Sequence, residues 1–460
     1  MNITGIIAEY NPFHNGHAYQ LTRAREETGA DYIIVVMSGN YVQRGTPALL
    51  DKYVRAEMAL MHGADLVLEL PVLWSCASAQ YFAGAGVSLL HQLGCVSSLC
   101  YGCETPDCGL FGSLCALLCS QPEEYRRILT DSLKAGDSYA LAREKAAACL
   151  FPPAQLAKIQ DILRNPNNIL ALEYQQAAAR EASPIKLYPI KRIGAGYHSN
   201  SITITDKCNN AIDPDSRTDA PAASATAIRS LLQHYDTTVP DSMSEKCFDC
   251  PDRPDCFNRS DHTDCFTGRL AQTMPPAALR LLLEYQKTYP LIYENDCSQM
   301  LHYSLIKGRA AGFTDFADCS GDLSNKICRR LNEYTSFKGF CDLLKSKDLA
   351  YTRISRCLLH ILLDLKKSSY DFWRSRGYMP YARVLGFCRS SGSLLTHIKK
   401  HSSLPLFMRA SDAKKILTDK KDMDFFEQAV SADQIYRALA IGKNGHAMSD
   451  EYHRKMLVLP

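Results

Sequence analysis

A chain of 460 residues can hold two or three domains with cores of their own. Hydrophobic residues make up 46% and charged residues 22%, the balance of a soluble globular protein, and no apolar run approaches the roughly 18 residues of a membrane span. The net charge of +3 conceals an asymmetry: residues 321–420 carry 20 Lys plus Arg against 8 Asp plus Glu, which leaves −9 for the rest. A basic block beside an acidic remainder suits a polyanion partner, although a lysine-rich solvated helical surface gives the same count. No signal peptide precedes Ile3, so a cytoplasmic protein is expected, with most of its 19 cysteines reduced and buried.

Apolar runs at 3–8, 32–37, 65–70 and 96–101 read as strands. Helical periodicity lies between them, at about 18–28, 47–62 and 77–93. The alternation predicts an α/β fold with a doubly wound parallel sheet, and the unbroken apolar strands fit a sheet covered on both faces. Between the first strand and its helix stands Asn11-Pro12-Phe13-His14-Asn15-Gly16-His17. A helix N-terminus presents unpaired N–H groups and a positive dipole end, which makes an anion site. Gly16 allows close backbone approach, and His14 and His17, three apart, reach the same phosphate. The pattern is neither a P-loop nor a His-Glu-x-x-His zinc motif. It looks like the His-x-Gly-His of nucleotidyltransferases, which attack the α-phosphate of a nucleoside triphosphate and release pyrophosphate.

Later segments bring polar residues to the same sheet edge. The loop Ser38-Gly39-Asn40-Tyr41-Val42-Gln43-Arg44-Gly45 follows the second strand, and its Arg44 suits either a phosphate or a carboxylate, or plain solvent. Gly102-Cys103-Glu104 ends the fourth strand. From about 107 to 181 the chain reads as helices broken at Pro122, Gly136, Pro152 and Pro166, with Asn167 and Asn168 placed where an N-cap belongs. A strand at 185–190 runs into Lys191-Arg192-Ile193-Gly194-Ala195-Gly196-Tyr197-His198. Ser224 then caps a helix that carries Thr226 and Arg229; capping accounts for the serine but not for the arginine.

Residues 240–270 differ in texture. Cys247-x-x-Cys250 has zinc-ligand spacing, while Cys256 and Cys265 follow irregularly, so a metal site and an insertion with free thiols both fit. From Pro275 to the end the chain reads as helices. Lys345, Lys347, Arg353, Arg356, Arg374 and Arg376 are interleaved there with Tyr351, Phe372, Trp373, Tyr378 and Tyr381, as phosphate contact and base stacking on RNA require. Core aromatics on amphipathic helices produce the same pattern.

Taken together the segments closely resemble the tRNA(Met) cytidine acetate ligase family, a branch of the nucleotidyltransferases. The resemblance rests on 5–17, Met37-Ser38-Gly39-Asn40, Gln43-Arg44-Gly45, 65–71, Pro166-Asn167-Asn168-Ile169-Leu170, 192–198, 224–229 and Arg383-Val384-Leu385-Gly386-Phe387. It covers the chain except about 240–270. It implies a Rossmann-like nucleotidyltransferase domain at 1–235 with a helical insertion at about 107–181, a Cys-rich insertion at 236–270, and a mainly helical, basic tRNA-binding domain at 271–460.

It further implies that ATP binds along Ile7-Ala8-Glu9-Tyr10-Asn11-Pro12-Phe13-His14-Asn15-Gly16-His17-Ala18-Tyr19-Gln20 and touches Gly102, Asn168 and Arg192. Ser224, Thr226 and Arg229 close over the triphosphate, Mg²⁺ accompanies the nucleotide, and His14 and His17 are catalytic. Acetate would be activated as acetyl-adenylate and passed to the wobble cytidine of elongator tRNA(Met), giving N4-acetylcytidine, with Lys345, Lys347, Arg353 and Arg356 on the tRNA. Tyr101-Gly102-Cys103-Glu104 stands for the family's Phe-Gly-Ser-Glu, and Asp348-Leu349-Ala350 for a more basic run. A cofactor-making adenylyltransferase shares the nucleotide site but has no use for the basic half. A non-catalytic RNA-binding protein has no use for intact His14, Gly16 and His17.

Overall fold

The central strand, β1 (Ile3–Ala8), is an apolar run whose first five residues are buried. The structure, a computed structural model, describes residues 1–192, 224–238 and 266–460. From β1, α1 (Asn15–Thr28) carries the chain to β2 (Tyr32–Ser38), which pairs in parallel with β1 from Ile3↔Tyr32 to Ala8↔Met37. A hairpin of β3 (Tyr41–Val42) and β4 (Thr46–Pro47) follows, outside the main sheet. Next come α2 (Lys52–Met61), β5 (Leu66–Leu70), the single turn α3 (Val72–Ser75), α4 (Ala79–Gln92) and β6 (Ser98–Cys103). The insertion consists of α5 (Cys108–Ser120), α6 (Glu123–Lys134), α7 (Tyr139–Ala148), α8 (Leu156–Arg164) and α9 (Pro166–Arg180), the first four ending near a predicted Pro or Gly break. β7 (Lys186–Lys191) closes that edge.

The chain builds outward from β1 to β2 and β5, then returns to the other side of β1 for β6 and β7, all in parallel. Such a reversal leaves a crevice beyond the carboxyl ends of the strands. Arg55 of α2 has no exposed surface and ties that edge together from below. Its guanidinium donates to the carbonyls of Glu9 at 2.6 Å and Ser38 at 3.1 Å, and also to that of Gly39.

Past β7 the described helices are α10 (Ala225–Thr238), α11 (Phe266–Thr273), α12 (Pro276–Gln286), α13 (Ser298–Gly308), α14 (Gly321–Arg330), α15 (Phe337–Leu344), α16 (Tyr351–Leu362) and α17 (Lys367–Ser375). The reading of this half as helices throughout then fails. β8 (Ala382–Cys388) pairs antiparallel with β5 and so joins the first sheet. After α18 (Gly392–His401), β9 (Leu406–Phe407) pairs with β8; after α19 (Ala413–Ile416) and α20 (Lys420–Asn444), β10 (Leu457–Leu459) pairs with β8 on its far side. The full order is β10-β8-β5-β2-β1-β6-β7. β8 contains a charge and a glycine and β10 has three residues, so neither shows a strand period. Pairing decides their conformation, β8 on the open edge of β5 and β10 on β8. The glycine is required: a Cβ on Gly386 would lie 2.8 Å from Leu457 Cδ2 on β10.

Charges are buried where this half meets the sheet. Lys52 Nζ lies 2.6 Å from Glu69 Oε1, 2.6 Å from Asp433 Oδ2 and 3.3 Å from Glu451 Oε2. Arg383 pairs with Glu69 at 3.0 Å and with Glu451. Asn40 Nδ2 donates to Asp433 Oδ1 at 2.9 Å, and Tyr53 Oη to Glu451 Oε2 at 3.0 Å. Three carboxylates thus face two cations. Burial pushes Asp433 up to about 8. Burial also raises Glu451, but Lys52 and Arg383 outweigh it and bring that carboxyl down to about 2. Among the described residues no helix is long and apolar enough to cross a membrane.

Candidate active site

The mouth of α1 is built by its two histidines. His14 is the N-cap, with extended backbone at φ −143° and ψ 174°. Its Nδ1 accepts from Gly16 N at 3.1 Å, and His17 Nδ1 accepts from His14 N at 3.2 Å, a reciprocal capping box made of imidazoles. The rings stack with centroids 3.7 Å apart. A Cβ on Gly16 would lie 3.0 Å from His14 Cε1, so this close turn favours glycine. With both Nδ1 atoms accepting, each neutral ring carries its proton on Nε2. Burial, then Arg192 and Arg229, push His14 down to about 3. Burial, then His14 and Arg192, hold His17 well below the usual histidine range. Two neutral Nε2–H donors therefore stand at the positive end of a helix.

They open into one cavity with three walls. The floor is the end of β1 and the start of α1: Ile7, Ala8, Glu9, Tyr10, Asn11, His14, His17 and Gln20. One side is Phe82 of α4, Tyr101 and Gly102 of β6, Pro166, Asn167, Leu170 and Tyr174 of α9, and Arg192 beyond β7. The other is Gln43 and Arg44 of the hairpin with Ser224, Ala225, Thr226 and Arg229 at the start of α10. Phe82 and Tyr174 were not singled out by sequence. The spacing of Pro166, Asn167, Leu170 and Tyr174 along one helical face is the signal that points to Tyr174.

Several expected ligand residues stand behind this surface. Phe13 is fully buried and stacks on His62 with centroids 5.0 Å apart. Pro12 precedes it in the same turn, and Ala18 and Tyr19 pack against the core. Asn15 Nδ2 donates to Gln272 O at 2.8 Å, fastening α11 to the mouth of α1. Asn168 is fully buried, and its Oδ1 accepts from Glu104 N at 2.8 Å and Thr105 N at 3.2 Å, which shapes the loop after Gly102. Capping is not what Asn167 and Asn168 do, because Asn165 is the N-cap of α9. Asn167 faces the cavity and donates to Glu104 Oε1 at 2.6 Å.

Cations converge on the cavity. Arg229 donates to Asn11 O at 2.6 Å and to Thr226 Oγ1 at 3.0 Å. Burial, then the neighbouring Arg44, bring its pKa down to about 10. Arg192 lies against Gly102, with Nε 3.9 Å from Glu104 Oε1. Ser224 Oγ accepts from Ala227 N at 3.1 Å and caps α10, as expected. Gly194, Gly196 and Cys247, Cys250, Cys256 and Cys265 lie outside the described residues.

The basic candidates divide. Lys345 and Lys347 are exposed between α15 and α16. Arg353 and Arg356 share a face of α16, but both turn inward to Asp318. Arg356 Nε pairs with Asp318 Oδ2 at 2.7 Å, and Arg353 Nε donates to Asp318 O at 3.3 Å. Only 13% of the Arg356 side chain is exposed.

Comparison with known proteins fits this geometry. The family described as HIGH Nucleotidyl Transferase matches residues 1–451. The tRNA(Met) cytidine acetate ligase of Clostridium kluyveri is 35% identical over 95% of this chain and 98% of its own. That of Clostridium novyi is 32% identical over 92% and 93%. The chain belongs to this family of HIGH nucleotidyl transferases, the tRNA(Met) cytidine acetate ligases. Two crystal structures of a family member, Thermotoga maritima TmcAL, superpose over the full length of both chains. The apo form has a TM-score of 0.84 at 27% identity, and the form bound with alpha-thio ATP 0.82 at 26%. The ligase family's nucleotidyltransferase fold and its helical C-terminal region are therefore those of this chain.

Proposed function

We propose that the chain is an ATP-dependent ligase that converts acetate to acetyl-adenylate and acetylates the wobble cytidine of elongator tRNA(Met). The observation that carries the reading is the pair of neutral Nε2–H donors at the mouth of α1, inside a cavity lined by Arg44, Arg192 and Arg229. Such a site suits phosphoryl chemistry by positioning and charge stabilisation, with no covalent enzyme intermediate.

Acetate is unreactive toward amines because its leaving group is poor. In the first step a carboxylate oxygen attacks the α-phosphorus of MgATP, and the bond to the bridging oxygen breaks, releasing pyrophosphate. Charge accumulates on the non-bridging and leaving oxygens, where His14, His17 and Arg229 stand to meet it. In the second step the N4 amine of cytidine attacks the acetyl carbonyl. The acyl–oxygen bond breaks, AMP leaves, and the amine loses a proton. Mg²⁺ belongs to the nucleotide in this scheme. Among the described residues no group of three His, Cys, Asp or Glu is built to hold a metal, and Mg²⁺ is commonly bound largely through phosphate oxygens and water.

The apolar side of the cavity, Phe82, Leu170 and Tyr174, suits a nucleoside, and the exposed Lys345 and Lys347 suit tRNA phosphates. The deciding experiment incubates the protein with tRNA, ATP and labelled acetate and analyses the nucleosides by mass spectrometry. Label is expected on one cytidine; unlabelled tRNA with full ATP turnover would reject the reading.

A further inference from the structure

The hairpin β3–β4 lies outside the main sheet, yet it is held more firmly than a surface turn needs to be. Glu9 Oε1 accepts from Gln43 N at 2.7 Å, which ties the turn to the end of β1. Gly45 has φ +79°, its N donates to Val42 O at 2.9 Å, and its carbonyl accepts from Ser355 Oγ of α16 at 2.9 Å. A Cβ on Gly45 would collide with the backbone of Ser355 and Arg356, so helix and turn are in direct backbone contact. Clamped from both sides, the turn delivers Arg44 and Gln43 to the cavity.

The position of Arg44 within the cavity separates it from the other two arginines. Arg192 lies at the β6–β7 side, next to the apolar wall of Tyr101, Leu170 and Tyr174 that suits adenosine. Arg229 sits at the start of α10, where helix N–H groups and Thr226 join it as a site for the terminal phosphates. Arg44 enters from the hairpin that follows β2, within electrostatic reach of Glu9. An acid as small as acetate offers one methyl for apolar contact, so its recognition must come from its carboxylate, for which a guanidinium is the matched partner.

We propose that Arg44 holds the carboxylate of the acid substrate on the β2 side of the α-phosphate. The assignment rests on the ligase reading.

Acetate-dependent ATP–pyrophosphate exchange without tRNA tests the assignment. Arg44→Gln should raise KM for acetate by about 10- to 100-fold, as loss of a charge-assisted bidentate contact does, and leave KM for ATP within about twofold, while Arg44→Lys recovers part of the loss. Thermal stabilisation of Arg44→Gln by an ATP analogue alone should match that of the unaltered enzyme. A raised KM for ATP, or lost stabilisation by the analogue, would place Arg44 on the triphosphate and overturn the assignment, as would an unchanged KM for acetate. If the unaltered enzyme shows no acetate-dependent exchange, the ligase reading falls and takes the assignment with it.

Discussion

At the scale of single residues, the histidines act as neutral donors whose orientation is set by the helix they cap. His14→Asn keeps an N-cap acceptor but withdraws the Nε2–H, so it isolates chemistry from folding. It should slow acetate-dependent exchange by about 10²–10³-fold, the cost of losing one donor to developing charge, with a much smaller change in ATP affinity; His17→Ala should behave alike. Equal losses in ATP affinity and in rate would make these residues binding groups only. The depressed pKa values fix a sign. His14 titrates near 3 in the fold and near 6.5 when unfolded, so its buried neutral form contributes stability at and above pH 6.5 that is lost as pH falls toward 3. NMR of the His14 and His17 ring protons should therefore show no titration between pH 5.5 and 8 in the free enzyme.

The first-turn motif was legible because its chemistry is local: cap, glycine and histidines are adjacent in sequence. Asn168 stands where a cap belongs, yet its partners, the Glu104 and Thr105 amides, come from another segment that no local pattern reveals. Arg55 and Phe82 reach the site only through the packing of α2 and α4, and no local pattern marks them.

Among elements, the four N-terminal strands and their helices followed from apolar runs, whereas the hairpin and β8–β10 did not, since short strands take their conformation from the neighbour they pair with. Helix α9 supplies the wall that suits adenosine. Tyr174→Ala should raise KM for ATP by about tenfold through lost packing and spare KM for acetate, the reverse of the pattern expected at Arg44. Helix α16 links the hairpin turn to the basic surface. Because Arg356 is committed to Asp318, charge reversal there would test folding. Lys345→Gln with Lys347→Gln is the cleaner probe. It should weaken tRNA binding and lower the slope of log affinity against log salt by about 0.7 to 0.9 per contact removed. Exchange without tRNA should be unaffected; an unchanged salt slope would take these lysines off the tRNA.

Across the whole molecule, the two halves are joined by the buried group of Lys52, Arg383, Glu69, Asp433 and Glu451. Asp433, raised to about 8, binds its proton more tightly in the fold than in the unfolded chain, so this group's contribution to stability falls as pH rises from about 4 through 8. Glu451, lowered to about 2, acts in the opposite direction only below about pH 4.5. Denaturant unfolding should show lower stability at pH 9 than at pH 6, and Asp433→Asn should reduce that difference. An equal difference in the variant would place the titrating group elsewhere.

The pairing of β8 with β5, and of β10 with β8, also bears on how the protein is made. A chain emerging from the ribosome presents β5 long before Ala382–Cys388 exists to cover its outer edge. Until synthesis is nearly complete, that edge offers bare N–H and C=O groups to any other strand, the usual route to aggregation. A premature stop anywhere before Ala382 would therefore yield an insoluble product rather than a shorter enzyme that still handles ATP. The gene should tolerate late nonsense mutations no better than early ones.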